Sequence, residues 1–250
     1  MVCVLTGAGS GLGRALAIEL TRRGVVVAGF GRRQAALDET AGLATPGRFT
    51  ACVVDVADVA AVDRAFDEVT ARMGPVDILI NNAAVYPHRD FLDTPAADFM
   101  QTVATNLGGV VTCTSAALRG MVLTGRGRIL NVATFADIAP LAASSAYSVS
   151  KGAARILTRA LVADLADRFP EIVISDWIPG ALATGMGIPD GLDPAIAGRW
   201  GADLALWQDP SLTGTLWARD QEQLPPRSLK SRVLERLRLR RRPVARLLGP

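Results

Sequence analysis

At 250 residues the chain is long enough for one large α/β domain with a sizeable core and does not require a second. Half of it is hydrophobic but only 5% is aromatic, so the apolar mass is Ala, Val and Leu, which suits a buried parallel sheet covered by helices. The net charge of +3 hides an asymmetry: residues 225–250 carry nine basic side chains against Glu235 alone, leaving that stretch at +8 and the rest at −5.

Short β-branched runs alternate with longer helical patterns, the signature of βαβ units. The first strand is expected over 2–6, followed by a helix over 11–23 with Leu12, Ala15, Leu16 and Leu20 inward. A strand over 25–30 precedes a helix over 34–41, and a strand over 49–54 precedes a helix over 59–73. Next come a strand over 76–80, a helix over 105–123, a strand over 128–133 and a helix over 146–168. Strands over 172–177 and 213–217 complete about seven. Residues 179–198 read as a loop with one short helix, and Pro225-Pro226 divides a domain over 1–224 from a basic extension over 225–250. No repeat of solenoid or propeller period is present.

Three separated cysteines (Cys3, Cys52, Cys113), no CxxC and a single histidine argue against disulfide and metal frameworks and for a cytoplasmic setting. Met1 leads almost at once into a β-run, so no secretory leader is expected, and no apolar run approaches the length of a membrane span.

Only two lysines and two tyrosines occur, and one of each forms Tyr147-Ser-Val-Ser-Lys151. On a helix these positions share a face, which places an ammonium beside a phenol. Lysine is a compact cation able to lower a phenol's pKa, unlike the planar arginine fork used elsewhere in the chain. Taken alone, the pair fits an activated acid/base or an ordinary surface lysine beside a half-buried tyrosine. Residues 6–13, Thr-Gly-Ala-Gly-Ser-Gly-Leu-Gly, follow a strand and open a helix. Gly7, Gly9, Ser10, Gly11, Leu12 and Gly13 there suit a pyrophosphate cradle at a helix N-terminus. The spacing is TGxxxGxG, not the GxGxxG of the common dinucleotide fingerprint.

With that loop and the Tyr147/Lys151 pair, the chain resembles the short-chain dehydrogenase/reductase family over roughly residues 2–217. The resemblance implies a single-domain, doubly wound Rossmann-type parallel sheet with helices on both faces. It places Asp55, with Val56 beside it, at the adenine ring. It sets Asn82 and Ala83 near the cofactor in Asn81-Asn82-Ala83-Ala84, which is similar to the family's NNAG with alanine last. Asn106 takes the place of an asparagine ordering a water-linked proton relay, and Pro179, Gly180 and Thr184 that of the nicotinamide carboxamide contacts. Tyr147 becomes the acid/base and Lys151 the cation that lowers its pKa while touching the cofactor. Thirteen residues before the tyrosine, where the family has its catalytic serine, stands Thr134. Threonine keeps serine's donor and acceptor inventory and adds a methyl and a stiffer χ1. A degraded site is the other reading of that exchange.

The second strand ends Phe30-Gly31-Arg32-Arg33, without an acid to hold a ribose 2′-OH. Arg32 and Arg33 suit a 2′-phosphate, so NADP(H) is preferred and NAD(H) remains possible. Arg33 also reads as a solvated helix start, and Arg14 is placed to assist. His88 lies in a loop bordering the substrate entrance, as a contact or simply solvated, and Trp200 and Trp207 read as core. The lining at 84–91, Phe135, Ala143 and 181–186 is mostly apolar and names no substrate.

The expected function is a ketoreductase moving hydride between NADP(H) and a small-molecule ketone or secondary alcohol. The alternatives are an NAD(P)+-dependent alcohol or sugar dehydrogenase and, from another class, a non-catalytic dinucleotide-sensing module with a basic tail. A homodimer or homotetramer is implied, although Trp217-Ala218-Arg219-Asp220 departs from the family's usual C-terminal segment. Residues 229–242 alternate leucine and arginine as a basic amphipathic helix would. Docking on an acidic subunit face, contact with a membrane or nucleic acid, and a solvated tail all fit it.

Overall fold

Strand β1 (Val2–Thr6) is buried at all five residues and forms the middle of the sheet. The computed structural model describes residues 1–225 and 244–249, so the helix expected over 229–242 lies outside the described residues. Strands β2 (Val26–Gly31) and β3 (Phe49–Val53) lie to one side of β1. To the other side lie β4 (Ile78–Asn81), β5 (Arg126–Val132), β6 (Glu171–Ile178), β7 (Leu216–Ala218) and β8 (Gln221–Gln223). The order 3-2-1-4-5-6-7-8 is doubly wound, and every pairing is parallel except β7 with β8. The eighth strand was not expected because Gln221-Glu222-Gln223 has no apolar run. It pairs through a tight turn in which Arg219 takes φ +55°.

Helices α1 (Gly11–Arg22), α2 (Gln34–Leu43) and α7 (Pro194–Leu206) cover one face. Helices α3 (Val59–Met73), α5 (Gly109–Thr124) and α6 (Ser145–Leu165) cover the other. The strands feed the two cores alternately: Cys3 and Leu5 point to one, Val2 and Val4 to the other. Helix α4 (Ala96–Val103) was not anticipated. It runs through a π turn (Ala104–Gly108) into α5, so the helix expected from residue 105 begins nine residues earlier, after Pro95. That corrects the expectation on apolar length: Ala96–Thr124 is long and apolar enough, by length and composition alone, to cross a membrane. Its residues Val110, Cys113, Ala117 and Met121 belong to the second core. The 13-residue α7 likewise takes the place of the short helix expected within 179–198 and runs beyond that stretch.

The chain end returns to the sheet. Leu247 bridges Gln221, the Leu248 N–H donates to Asp220 O at 2.8 Å, and Leu248 joins the first core. Arg246 lies over the rings of Trp207 and Trp217, at 5.4 and 5.8 Å. It donates to both carboxylate oxygens of buried Glu222, at 2.8 and 2.9 Å, holding that carboxyl below its ordinary pKa. These contacts cross the boundary expected at 224/225. Arg246→Ala should leave the Glu222 carboxylate unpaired and remove the contacts to the rings. A loss of about 2 kcal/mol, or roughly 4–8 °C in melting temperature, is the expected calorimetric result.

Candidate active site

Where the strand order reverses, the C-terminal ends of β1 and β4 open a crevice. The Thr6 hydroxyl accepts the N–H groups of Asn82 and Ala83, at 3.0 and 2.9 Å. The Asn82 amide donates to the carbonyls of Thr6 and Gly7, at 3.0 and 3.3 Å. Gly7 can close the turn because its φ is +70°, in the left-handed region. Gly13 is needed for a different reason: a Cβ there would stand 2.0 Å from Gly7 O. The first turn of α1 therefore lies directly on the loop, and the Ser10 side chain makes no capping bond to its N–H groups. Gly9 sits against Ala36, Gly11 lies under the Thr184 methyl, and Leu12 is buried. The loop after β6 is thereby brought to the glycine loop, with Pro179 buried at its root and Gly180 at φ +98°.

Around this cradle the other expected cofactor residues separate into two kinds. Asp55 accepts the Ala57 N–H at 3.0 Å in its own turn, and Val56 is buried against Gly109. Arg32 and Arg33 are exposed just past Gly31, with no ion-pair partner among the described residues. Arg14 is occupied elsewhere: it bonds Gly9 O at 2.8 Å and pairs with Glu39 at 2.6 Å, tying α2 to the loop.

Tyr147 and Lys151 stand one turn apart on α6, as expected. Their electrostatics differ from expectation. Burial raises the Tyr147 pKa, a hydrogen bond with the Thr134 hydroxyl pulls it back, and nearby Tyr86 and Asp137 raise it further. The buried Lys151 ammonium donates to Val132 O at 2.8 Å. Burial lowers its pKa from 10.5 to about 8 against the opposing pull of Asp176 and Asp137. Thr134 sits at the head of a 3-10 turn (Phe135–Asp137), where its oxygen accepts the Ala136 N–H at 3.2 Å. Thr134 is thus close enough to the Tyr147 phenol to lower its pKa. Asn106 is fully buried on the π turn. Its amide clamps Val85, accepting the N–H at 2.7 Å and donating to the carbonyl at 2.9 Å, and donates to Ser150 Oγ at 3.0 Å. Both amide hydrogens are spent, so the side chain positions the post-β4 loop and contacts neither Tyr147 nor Lys151 through a hydrogen bond.

Three features were missed. Asp176, inside the apolar strand β6, accepts from Thr158 at 2.7 Å, and Thr158 accepts from Asn131 at 2.9 Å. Burial raises the Asp176 pKa to about 6. Asp137 pairs with Arg155 at 2.9 Å, one helical turn from Lys151. Tyr86 stacks on Tyr147, with ring centroids 4.3 Å apart. An ionisable residue within an otherwise apolar strand was the available signal for Asp176; nothing in the spacing pointed to the stack. His88 is exposed and lies against the Tyr86 ring at 4.1 Å.

Comparisons with known proteins agree with this geometry. Residues 1–193 match the short chain dehydrogenase family. "Probable oxidoreductase EphD" of Mycobacterium tuberculosis is 39% identical over 164 residues, which is 64% of this chain but 28% of that protein. The chain therefore spans under a third of that relative's length. Meso-2,3-butanediol dehydrogenase of Serratia marcescens is 34% identical over 65% of this chain and 64% of its own length. L-xylulose reductase of Mesocricetus auratus is 35% identical over 76% and 75%. In fold, a short chain dehydrogenase from Bacillus anthracis superposes with a TM-score of 0.81 at 20% identity, covering 87% of this chain and 93% of that one. The chain belongs to the short-chain dehydrogenase/reductase family. That family uses NAD(H) or NADP(H), and the uncapped α1 N-terminus above close-packed glycines fits such a dinucleotide.

Because Lys151 and Lys230 are the only lysines, NMR of isotope-labelled lysine Cε separates their titrations. Lys151 should titrate near 8 in the cofactor-free protein, protonated below and neutral above. Asp176→Asn should move its midpoint lower still, since removing a nearby anion disfavours the ammonium. An ordinary lysine midpoint, or one the substitution leaves in place, would contradict this electrostatic account.

Proposed function

We propose that the chain is an NADP(H)-dependent oxidoreductase acting on a ketone or the matching secondary alcohol, working as a ketoreductase. The observation that carries this reading is Tyr147, close enough to the Thr134 hydroxyl for it to lower the phenol's pKa and one helical turn from buried Lys151, in a chain that also carries a dinucleotide cradle. When bound, the nicotinamide supplies the hydride chemistry. Thr134 and Tyr147 offer the two donors that a carbonyl oxygen's lone pairs accept, and Tyr147 passes its proton to that oxygen as it becomes an alkoxide. Burial keeps Tyr147 a neutral phenol, the form a reduction needs. Lys151 holds positive charge beneath it. Arg32 and Arg33, exposed past β2 where a ribose acid is absent, support the 2′-phosphate preference.

Substrates carrying a second oxygen beside the reacting carbon are the favoured class, because the names of the butanediol and xylulose relatives share that pattern. The same names support the oxidative alcohol or sugar dehydrogenase as the second reading of direction. A homo-oligomer is supported by exposed Val111 on α5 and by Val149 and Ile156, two turns apart on α6.

NADPH oxidation across a ketone panel, with NADP+ reduction by the matching alcohols, tests the activity. Tyr147→Phe should lower kcat by roughly 10²–10⁴-fold while NADPH still binds. Binding without turnover by the wild type would instead support a sensor. Replacing Arg32 and Arg33 with Ala should raise the KM for NADPH roughly 10–100-fold and leave that for NADH near wild type. A wild type that prefers NADH would overturn the cofactor assignment.

A further inference from the structure

The site holds one hydroxyl more than a simple carbonyl requires. Thr134 and Tyr147 already supply two donors, and a carbonyl oxygen accepts two. Tyr86 is the third. It follows β4 directly, in a stretch whose position is fixed by the buried Asn106 clamp on both backbone groups of Val85. Its ring stacks on Tyr147 at 4.3 Å with the planes 26° apart, and His88 covers it at 4.1 Å. The Tyr86 hydroxyl is buried and finds no hydrogen-bond partner among the described residues. Leaving such a group unpaired costs about 1–3 kcal/mol, which phenylalanine would avoid while keeping the same stack. The two phenols are also close enough for Tyr86 to raise the Tyr147 pKa. The surplus hydroxyl therefore belongs to a ring stacked directly on that of Tyr147.

We infer that Tyr86 is a specificity-determining residue. Its phenol hydrogen-bonds the oxygen on the carbon next to the reacting carbonyl, so that the site selects α-hydroxy ketones, and the corresponding vicinal diols, over simple ketones. A site built to pair with a substrate hydroxyl discriminates strongly against the analogue lacking it, because its own polar group is then left unpaired. The inference rests on the oxidoreductase reading above and adds the residue that recognises the second oxygen.

The test uses the full chain, the Tyr86→Phe variant and two matched pairs of small molecules. For turnover with NADPH, the probes are 3-hydroxybutan-2-one and butan-2-one. For binding to the protein with NADP+, measured by calorimetry, they are butane-2,3-diol and butan-2-ol. The wild type should favour the doubly oxygenated member of each pair by about tenfold or more, and Tyr86→Phe should lose roughly that factor from the ratio. Unchanged ratios in the variant would overturn the inference, since only the ring would then matter. If neither ketone is reduced but the diol still binds in a Tyr86-dependent way, the reaction assigned above fails while the recognition stands. If hydroxy ketones are reduced with the same preference by both proteins, the reaction stands and the role of Tyr86 fails.

Discussion

The hydrogen bonds between Thr6 and the Asn82-Ala83 backbone are the constraint on which the site depends. They tie β1 to β4 at the reversal of strand order, where two neighbouring strands send their connections to opposite faces. The connections diverge there, and one hydroxyl joins the two strand ends. The Asn82 amide adds a second layer by bonding the carbonyls of Thr6 and Gly7, which orients the glycine loop under α1. A threonine at position 6 and an asparagine at 82 thus do structural work at the place where a dinucleotide fits.

Beneath the crevice, polar groups cross the second core in an unbroken chain. Asn81 donates to Asn131, Asn131 to Thr158, and Thr158 to Asp176. Each link joins β4, β5, α6 or β6 to its neighbour, so the helix carrying Tyr147 and Lys151 is fixed to the sheet by direction as well as by packing. The opposite face contains a contrasting case. Arg128 is fully buried and bonded to Ser175 and to the carbonyls of Leu204, Ile129 and Val173, with no carboxylate among these partners. Burial alone lowers its pKa to about 9. There the backbone carbonyls solvate the guanidinium, tying α7 to β5 and β6.

What was legible in the sequence follows from which constraints are local. The glycine loop and the Tyr147/Lys151 pair were readable because each needs a rare residue type at a fixed spacing along one element. The central strands were readable because burial on both faces demands continuous apolar runs. Strand β8 was not, since a polar edge strand shows neither an apolar run nor alternation. Helix α4 was obscured by the π turn, which shifts the apolar stripe between Val103 and Gly109 and breaks the 3.6 period. The clamp of Asn106 on Val85 and the stack of Tyr86 on Tyr147 join segments distant in sequence or held at non-periodic positions, and only the folded chain brings them together.

The charges around Tyr147 and Lys151 also act as a set. Lys151 and Arg155 project from α6, Asp137 from the 3-10 turn and Asp176 from β6, two cations against two carboxylates. Asp137 pairs with Arg155, and both carboxylates, Asp176 more than Asp137, support the charge on Lys151. Burial pushes both toward neutrality, with Lys151 at about 8 and Asp176 at about 6. Between those values the ammonium and the carboxylate coexist: Asp176 supports the charge on Lys151, while Thr158, Arg155 and Asn131 support the charge on Asp176. The Thr158 hydroxyl favours the carboxylate by hydrogen bonding to it, which places the polar chain beneath the sheet face in the same balance. Tyr147 lies one turn from Lys151, where burial is joined by Tyr86 and Asp137 in raising its pKa. A phenol raised by burial holds its proton, and the Thr134 hydroxyl is the one neighbour that pulls the other way.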